Sequence, residues 1–353
     1  MKQLIASDTM PGVSPARICG MADSYQGFQV LSTAVGYDIF TVLSVESKSA
    51  GEIAHEIGTD PCITEKLLNA LVSTGLLAKG SGKYANTPLA ESFLVKGEPF
   101  YQGNYIGLAK TVSFGTSPYD DWAKIGEALE TGYVQPDDHG DMSRLLDKSF
   151  SMTMKEVAMR GEVQATAEVV SGYAWFRDAR ELLDLGGTHG LYAIAFADKN
   201  PKLRATLFDF PGVPALGNAE EHIEGYGMTG RVTIQEGDFM GGDIGSGYDA
   251  VFISHVYLQE DVLDSVLRRI HDALNCDGRF VLKNCVIPKN RKGSFVAALY
   301  DLDMCFWSDE HRMQSIDEYV DLIEPYGFVI EDVAKIGECS YTPSAIIIFK
   351  KEA

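Results

Sequence analysis

Positive charge is scarce in this chain. Its 353 residues include 30 lysines and arginines against 50 aspartates and glutamates, a formal net charge of −20. That balance argues against a nucleic-acid backbone or an anionic membrane as the main partner. No apolar run reaches the roughly 18 residues of a membrane-spanning helix, and the stretch from Met1 to Asp8 is too short and too polar for a signal peptide. The expectation is a soluble, cytoplasmic protein. Six cysteines (Cys19, Cys62, Cys276, Cys285, Cys305 and Cys339) are scattered with no C-x-x-C spacing, which fits reduced thiols and neither a disulfide framework nor a structural zinc. The histidines show no i, i+4 pairing, and Asp301 with Asp303 reads as the solvated face of a helix, so no metal is expected. No internal repeat or low-complexity tract is visible. What is present is apolar mass, 45% of the chain with 10% aromatic residues, enough for one large core or two ordinary ones.

The periodicity changes once along the chain. Up to about residue 175 it is helical, with amphipathic stretches at Tyr25 to Leu43, Ala50 to Ile57 and Ile63 to Leu77. Gly58-Thr59-Asp60-Pro61 supplies a turn and a helix cap, and Leu76 to Asn86 reads as two short strands around a glycine-rich tip. Helix, turn, helix and β-tip make a winged helix. Its second helix has one lysine, one glutamate and no arginine between Ile63 and Val72, and the tip adds only Lys79 and Lys83. A DNA reader needs several phosphate contacts and a base-reading side chain, so the element is expected to pack or to dimerise. Pro99 to Arg160 is expected to be helical and, with Phe100, Tyr101, Tyr105, Phe114, Trp122, Phe150, Met152, Met154 and Met159, apolar enough to wall a small-molecule pocket.

From about residue 180, short β-runs alternate with helices: 181–185, 204–209, 232–235, 248–253, 278–283, 328–331 and 345–349. The pattern predicts a mostly parallel sheet covered on both faces, with ligands at the carboxyl ends of its strands. Three acids stand at the ends of the first three strands. Asp184 opens Asp184-Leu185-Gly186-Gly187-Thr188-His189-Gly190, where glycines let the backbone approach a ligand at the start of a helix near Leu191. The glycines fall at 186, 187 and 190, so the dinucleotide fingerprint G-x-G-x-x-G is not met. Asp209, in Phe208-Asp209-Phe210-Pro211, is placed to accept both hydroxyls of a ribose. Asp238 and Phe239, in Glu236-Gly237-Asp238-Phe239-Met240, are placed to bond an adenine amine and to stack on its ring.

These motifs, with Ile253-Ser254-His255-Val256 and Asp277-Gly278-Arg279-Phe280 after them, resemble the S-adenosylmethionine-dependent small-molecule O-methyltransferases, the group of the caffeate, acetylserotonin and bacterial polyketide enzymes. The resemblance spans nearly the whole chain and includes Asn86-Thr87-Pro88-Leu89 after the wing. It implies an α/β fold, a doubly wound Rossmann-like class I methyltransferase domain preceded by an α-helical winged-helix dimerisation domain, working as a homodimer on a small acceptor. The implied boundaries are 1–100 for dimerisation, 101–175 for a helical lid and linker and 176–353 for cofactor binding. Gly186, Gly187 and Gly190 would cradle the methionine part of the cofactor, Asp209 its ribose, and Asp238 with Phe239 its adenine. Asp184, Phe210 and Ser254 complete that set, while Met154, Leu258 and Met304 would contact the acceptor.

The chain departs from the family pattern at the base. The family's His-Asp-Trp after the fourth strand falls at Leu258, Gln259 and Glu260, and its later Glu-Arg-Thr falls at Met313, Gln314 and Ser315. Thr188-His189 stands where Gly-Thr is usual; His189 is expected to touch the cofactor. General base catalysis is worth about 10²–10⁴ in rate, and a phenol of pKa about 10 is only about 0.1% ionised at pH 7. Either the acceptor arrives ionised, or a relocated base serves: His311, or His255 and Tyr257, which strand alternation would put on one face. Two other readings keep the binding site, namely non-methylating chemistry around the sulfonium (hydroxylation, decarboxylation or rearrangement) and a non-catalytic metabolite-sensing winged-helix protein.

Overall fold

A computed structural model describes residues 14–110, 117–132, 148–256, 260–306, 312–336 and 344–352. The chain divides into two compact units, residues 1–107 and 108–353.

The first unit opens with α1 (Ala16–Gly36) and α2 (Ile39–Leu43), where the sequence pattern predicts one helix. The break is at Asp38, whose φ of 53° is left-handed and cannot continue a right-handed helix. Then come α3 (Ala50–Ile57), α4 (Pro61–Ser73), the hairpin of β1 (Leu77–Gly80) and β2 (Lys83–Asn86), α5 (Pro88–Leu94) and α6 (Gly103–Leu108). This is the winged helix. Ser49 caps α3 in a reciprocal capping box with Glu52, and Asp60 caps α4 by accepting from Ile63 N–H at 2.8 Å. Ile39, Phe40, Ile53, Leu68, Leu71, Leu77 and Tyr84 form its buried core. Lys79 on the wing is engaged within the unit, 2.9 Å from Asn69 Oδ1, 3.3 Å from Glu65 and 4.7 Å over the Tyr84 ring.

The second unit carries α7 (Pro118–Ala123), α8 (Ile125–Thr131), α9 (Lys148–Ala158), α10 (Glu162–Ser171) and α11 (Ala174–Asp178) ahead of its sheet. The sheet is built from β3 (Glu181–Leu185), β4 (Arg204–Asp209), β5 (Val232–Glu236), β6 (Tyr248–Ser254), β7 (Leu274–Cys285), β8 (Phe328–Lys335) and β9 (Ser344–Lys351), in the order β5-β4-β3-β6-β7-β9-β8. The first five run parallel, and β9 lies antiparallel to β7 and β8. Between the strands run α12 (Leu191–Lys199), α13 (Pro214–Gly225), α14 (Glu260–Ala273), α15 (Phe295–Asp303) and α16 (Ile316–Ile323).

Alternation along each strand makes two cores. Leu183, Leu207, Val251, Phe280 and Ile347 meet α14 and α16 on one face, while Leu182, Ala205, Phe252, Val281 and Ile348 meet α10, α11 and α12 on the other. The order reverses at β3, whose neighbours are β4 on one side and β6 on the other. The carboxyl ends of β3 and β6 therefore flank a crevice that helix connections leave open. Among the described residues, no helix is long and apolar enough to cross a membrane.

Candidate active site

The glycine loop enters the crevice directly from β3. Gly186 and Gly190 both have φ of +72°, and a Cβ on Gly186 would lie 2.7 Å from Val256, the residue after His255. A Cβ on Gly187 would lie 2.2 Å from Leu207 and 2.6 Å from the Asp184 carboxyl. The glycines thus serve close packing of the loop on the sheet as well as its turn. Asp184 is buried beneath them and accepts from Ala193 N–H at 3.2 Å. Burial pushes its carboxyl up to about 7, against that one bond.

Asp209 ends β4 beside the loop. It is 3% exposed, and its two oxygens accept from Thr188 N–H at 2.9 Å and Phe210 N–H at 2.8 Å. Burial still raises its pKa, so the two neutral donors do not compensate the charge. Asp238 folds back on its own turn, accepting from Met240 and Gly241 N–H at 2.8 and 3.2 Å. Phe239 is buried with its ring 4.5 Å from that of Phe210. His189 is also buried and turned inward. Its Nδ1 accepts from Leu191 N–H at 3.2 Å, and burial lowers its pKa to about 3.

At the other lip, β6 stops at Ser254, which is half-buried, and His255 adopts a left-handed φ of 54°. The strand alternation expected to carry through His255 to Tyr257 therefore ends one residue earlier. Tyr257, Leu258 and His311 lie outside the described residues. The imidazole of His255 lies in a cluster that sequence reading missed. Glu162, the first residue of α10, is 1% exposed, and Lys283 on β7 is wholly buried; they pair at 2.5 Å. Lys283 Nζ is 2.6 Å from His255 Nε2 and 5.6 Å from the centre of the Tyr192 ring. His255 Nδ1 is 3.7 Å from Cys285 Sγ. Although burial opposes it, His255 and Lys283 hold the Glu162 carboxyl far below the usual carboxylate range. A usable signal existed: a lysine inside Phe280-Val281-Leu282-Lys283, in a strand buried on both faces, requires an anionic partner.

The acceptor candidates are scattered. Met304 is buried at the end of α15, and Met154 on α9 is half-buried. Nearby in sequence, Phe306 packs on Trp122 with centroids 5.3 Å apart, and the Trp122 indole N–H donates to Asp303 at 2.9 Å. Asp301 accepts from Met313 N–H at 3.0 Å. The two aspartates are thus engaged within the unit and are not a merely solvated face.

Comparisons with known proteins agree with this architecture. The O-methyltransferase dimerisation domain matches residues 19–96, and the O-methyltransferase domain matches residues 136–329. The tetracenomycin polyketide synthesis 8-O-methyl transferase of Streptomyces glaucescens is 29% identical over 89% of this chain and 91% of its own length. An N,N-dimethyltransferase of Streptomyces rimosus is 27% identical over 90% and 91%. The solved structure of human N-acetylserotonin methyltransferase in complex with SAM superposes with a TM-score of 0.80 at 21% identity, over 98% of this chain and 100% of that one. A sheet of this order, with a glycine loop and a buried carboxylate at its switch point and the O-methyltransferase domain match laid over it, places the chain in the O-methyltransferase family.

Proposed function

We propose that the protein transfers the methyl group of S-adenosylmethionine to an oxygen of a small aromatic acceptor that arrives already ionised. The observation carrying the cofactor half is Asp209. A carboxylate has about four lone-pair sites, and two are used by Thr188 and Phe210. Two sites remain for the two hydroxyls of a ribose, in a place where burial leaves the charge undercompensated. The loop from Gly186 to Gly190 would hold the methionine end at the start of α12, with Asp184 and Ser254 beside it, and Asp238, Phe239 and Phe210 would border the adenine. When bound, the cofactor supplies an electrophilic methyl on a positively charged sulfur.

The acceptor half rests on His255. Both of its ring nitrogens face the protein, Nε2 toward Lys283 and Nδ1 toward Cys285, so its lone pair is committed and it is not poised to take a proton from a hydroxyl. With His255 so committed, the reaction is served by an acceptor of low pKa held in line with the methyl group, which needs no proton taken from it. Met304 and Phe306, with Trp122 from the segment read as lid packed on Phe306, supply apolar surface for such a ring. A cytoplasmic homodimer completes the reading: residues 19–96 match a dimerisation domain, and the described cysteines are free thiols, as a reducing compartment requires.

Calorimetric titration with S-adenosylmethionine tests the first half. Asp209→Ala should weaken binding about 100-fold or more, the worth of two hydrogen bonds to a charged group, and unchanged affinity overturns the ribose assignment. Mass spectrometry of acceptor panels with methyl-labelled cofactor tests the second. Labelling should follow the ionised fraction of each acceptor, and an equal rate on a plain phenol overturns it.

A further inference from the structure

The Glu162–Lys283–His255 cluster lies against the site, and it does more than commit the imidazole. His255 follows the last residue of β6, and the next residue, Val256, packs on Gly186 of the glycine loop. His255 Nε2 and Lys283 Nζ, 2.6 Å apart, can hold only one proton between them, because two cationic N–H groups cannot face each other at that separation. The pair therefore carries a single positive charge. Glu162 stands 2.5 Å from the lysine and 3.5 Å from the imidazole, so the three groups sum to zero whichever nitrogen holds the proton.

That sum matters beside a sulfonium. A protonated His255 without this arrangement would place a second cation at the lip of a site whose ligand is cationic. We propose that Lys283 and Glu162 are positioning residues that hold His255 in a charge-neutral cluster, so that the site accepts a sulfonium cofactor without electrostatic penalty and without dependence on pH. The inference rests on the S-adenosylmethionine reading above.

The other groups facing the imidazole fit the same account. Cys285 on β7 faces Nδ1, and although burial opposes it, the imidazole draws its thiol below the ordinary value, so loss of the thiol proton would end the flat range on the alkaline side. Tyr192 on α12 and Ser254 on β6 border Lys283 without adding formal charge near neutrality. His189 stays neutral because burial holds its pKa near 3. Lys155 on α9 acts on His189 and His222.

The test compares the affinities of S-adenosylmethionine and S-adenosylhomocysteine, which differ by the methyl group and the charge at sulfur. Calorimetry from pH 5.5 to 8.5 should give a wild-type affinity ratio that stays flat. Glu162→Gln leaves the shared charge uncompensated and should shift the ratio about fivefold or more against the sulfonium, the order expected of one unit charge acting through the protein interior at an effective dielectric near 20. The Glu162→Gln, Lys283→Met double variant should restore the ratio above the His255 pKa.

Should Glu162→Gln fail to fold, Lys283→Met keeps the question open to test, because His255 can itself pair with Glu162. Its ratio should then rise toward the sulfonium as pH increases through the His255 titration, which NMR of the ring protons would locate. If the variants move both ligands together, or the Lys283→Met ratio stays flat, the proposal fails. If the wild-type protein binds neither ligand, it is the cofactor reading that fails.

Discussion

Asp209, at the end of β4, and Glu162, at the start of α10, are both nearly inaccessible carboxylates of the same unit, and their surroundings differ in kind. Asp209 receives two neutral backbone N–H groups, and burial wins, so its pKa rises. Glu162 receives the lysine and stands near the imidazole, and the positive charge those two share wins, so its pKa falls far below normal. The first arrangement leaves acceptor capacity and charge unanswered, which suits a group that meets a ligand's hydroxyls. The second answers the charge with cationic side chains of the fold and suits a group that sets charge and geometry for its neighbours. Burial alone thus does not separate a binding carboxylate from a structural one; the kind of donor does.

The sharpest way to break the comparison is to remove each partner. Glu162→Ala should cost about 3–5 kcal/mol in chemical denaturation, because it strands the wholly buried Lys283 ammonium. Replacing Glu162 and Lys283 together by methionine should cost much less, since no charge is then left unpaired. A loss below about 1 kcal/mol for the single change would mean that Lys283 is compensated elsewhere, and the contrast with Asp209 would collapse. A smaller effect is expected at the loop. Gly187→Ala presses a methyl onto Leu207 and the Asp184 carboxyl and should cost about 1–3 kcal/mol in thermal unfolding. Gly126→Ala, in α8 with nothing within 4 Å of the new Cβ, should be neutral or stabilising by up to about 1 kcal/mol. Equal effects at the two glycines would refute the packing role of the loop.

Where the structure follows the backbone, the sequence was legible. Alternation of apolar residues located all seven strands of the large sheet, and the turn and cap read at Gly58 to Pro61 precede a helix that Asp60 caps. Asp184 and Asp209 could be read because strand ends in a parallel sheet converge on one edge. The Glu162–Lys283–His255 cluster could not, since 121 residues separate the lysine from the glutamate, and no local pattern links a helix start to a strand that lies against it only in the fold. His255 was misplaced by alternation because a single left-handed residue ends the strand. The Asp301 and Asp303 contacts with Met313 and Trp122 are likewise tertiary, so helical spacing alone made them look solvated.

Asp184 supplies the gentlest test of the same contrast. Its carboxyl is buried with one backbone donor, and burial pushes its pKa up to about 7, from an ordinary value of 3.8. Between about pH 4 and pH 7 the folded chain holds a proton that the unfolded chain has released. The stability this group contributes is therefore fully present below pH 4 and is lost as pH rises through 7, with a slope of at most about 1.4 kcal/mol per pH unit. Asp184→Asn keeps an oxygen for Ala193 N–H and removes the titration, so its unfolding free energy should lack that slope and should equal or exceed the wild-type value at pH 8. Denaturant titrations at pH 5, 6.5 and 8 check this. Parallel pH curves for the two proteins would mean that Asp184 is ionised throughout and belongs with Glu162, among the carboxylates whose charge is answered within the fold.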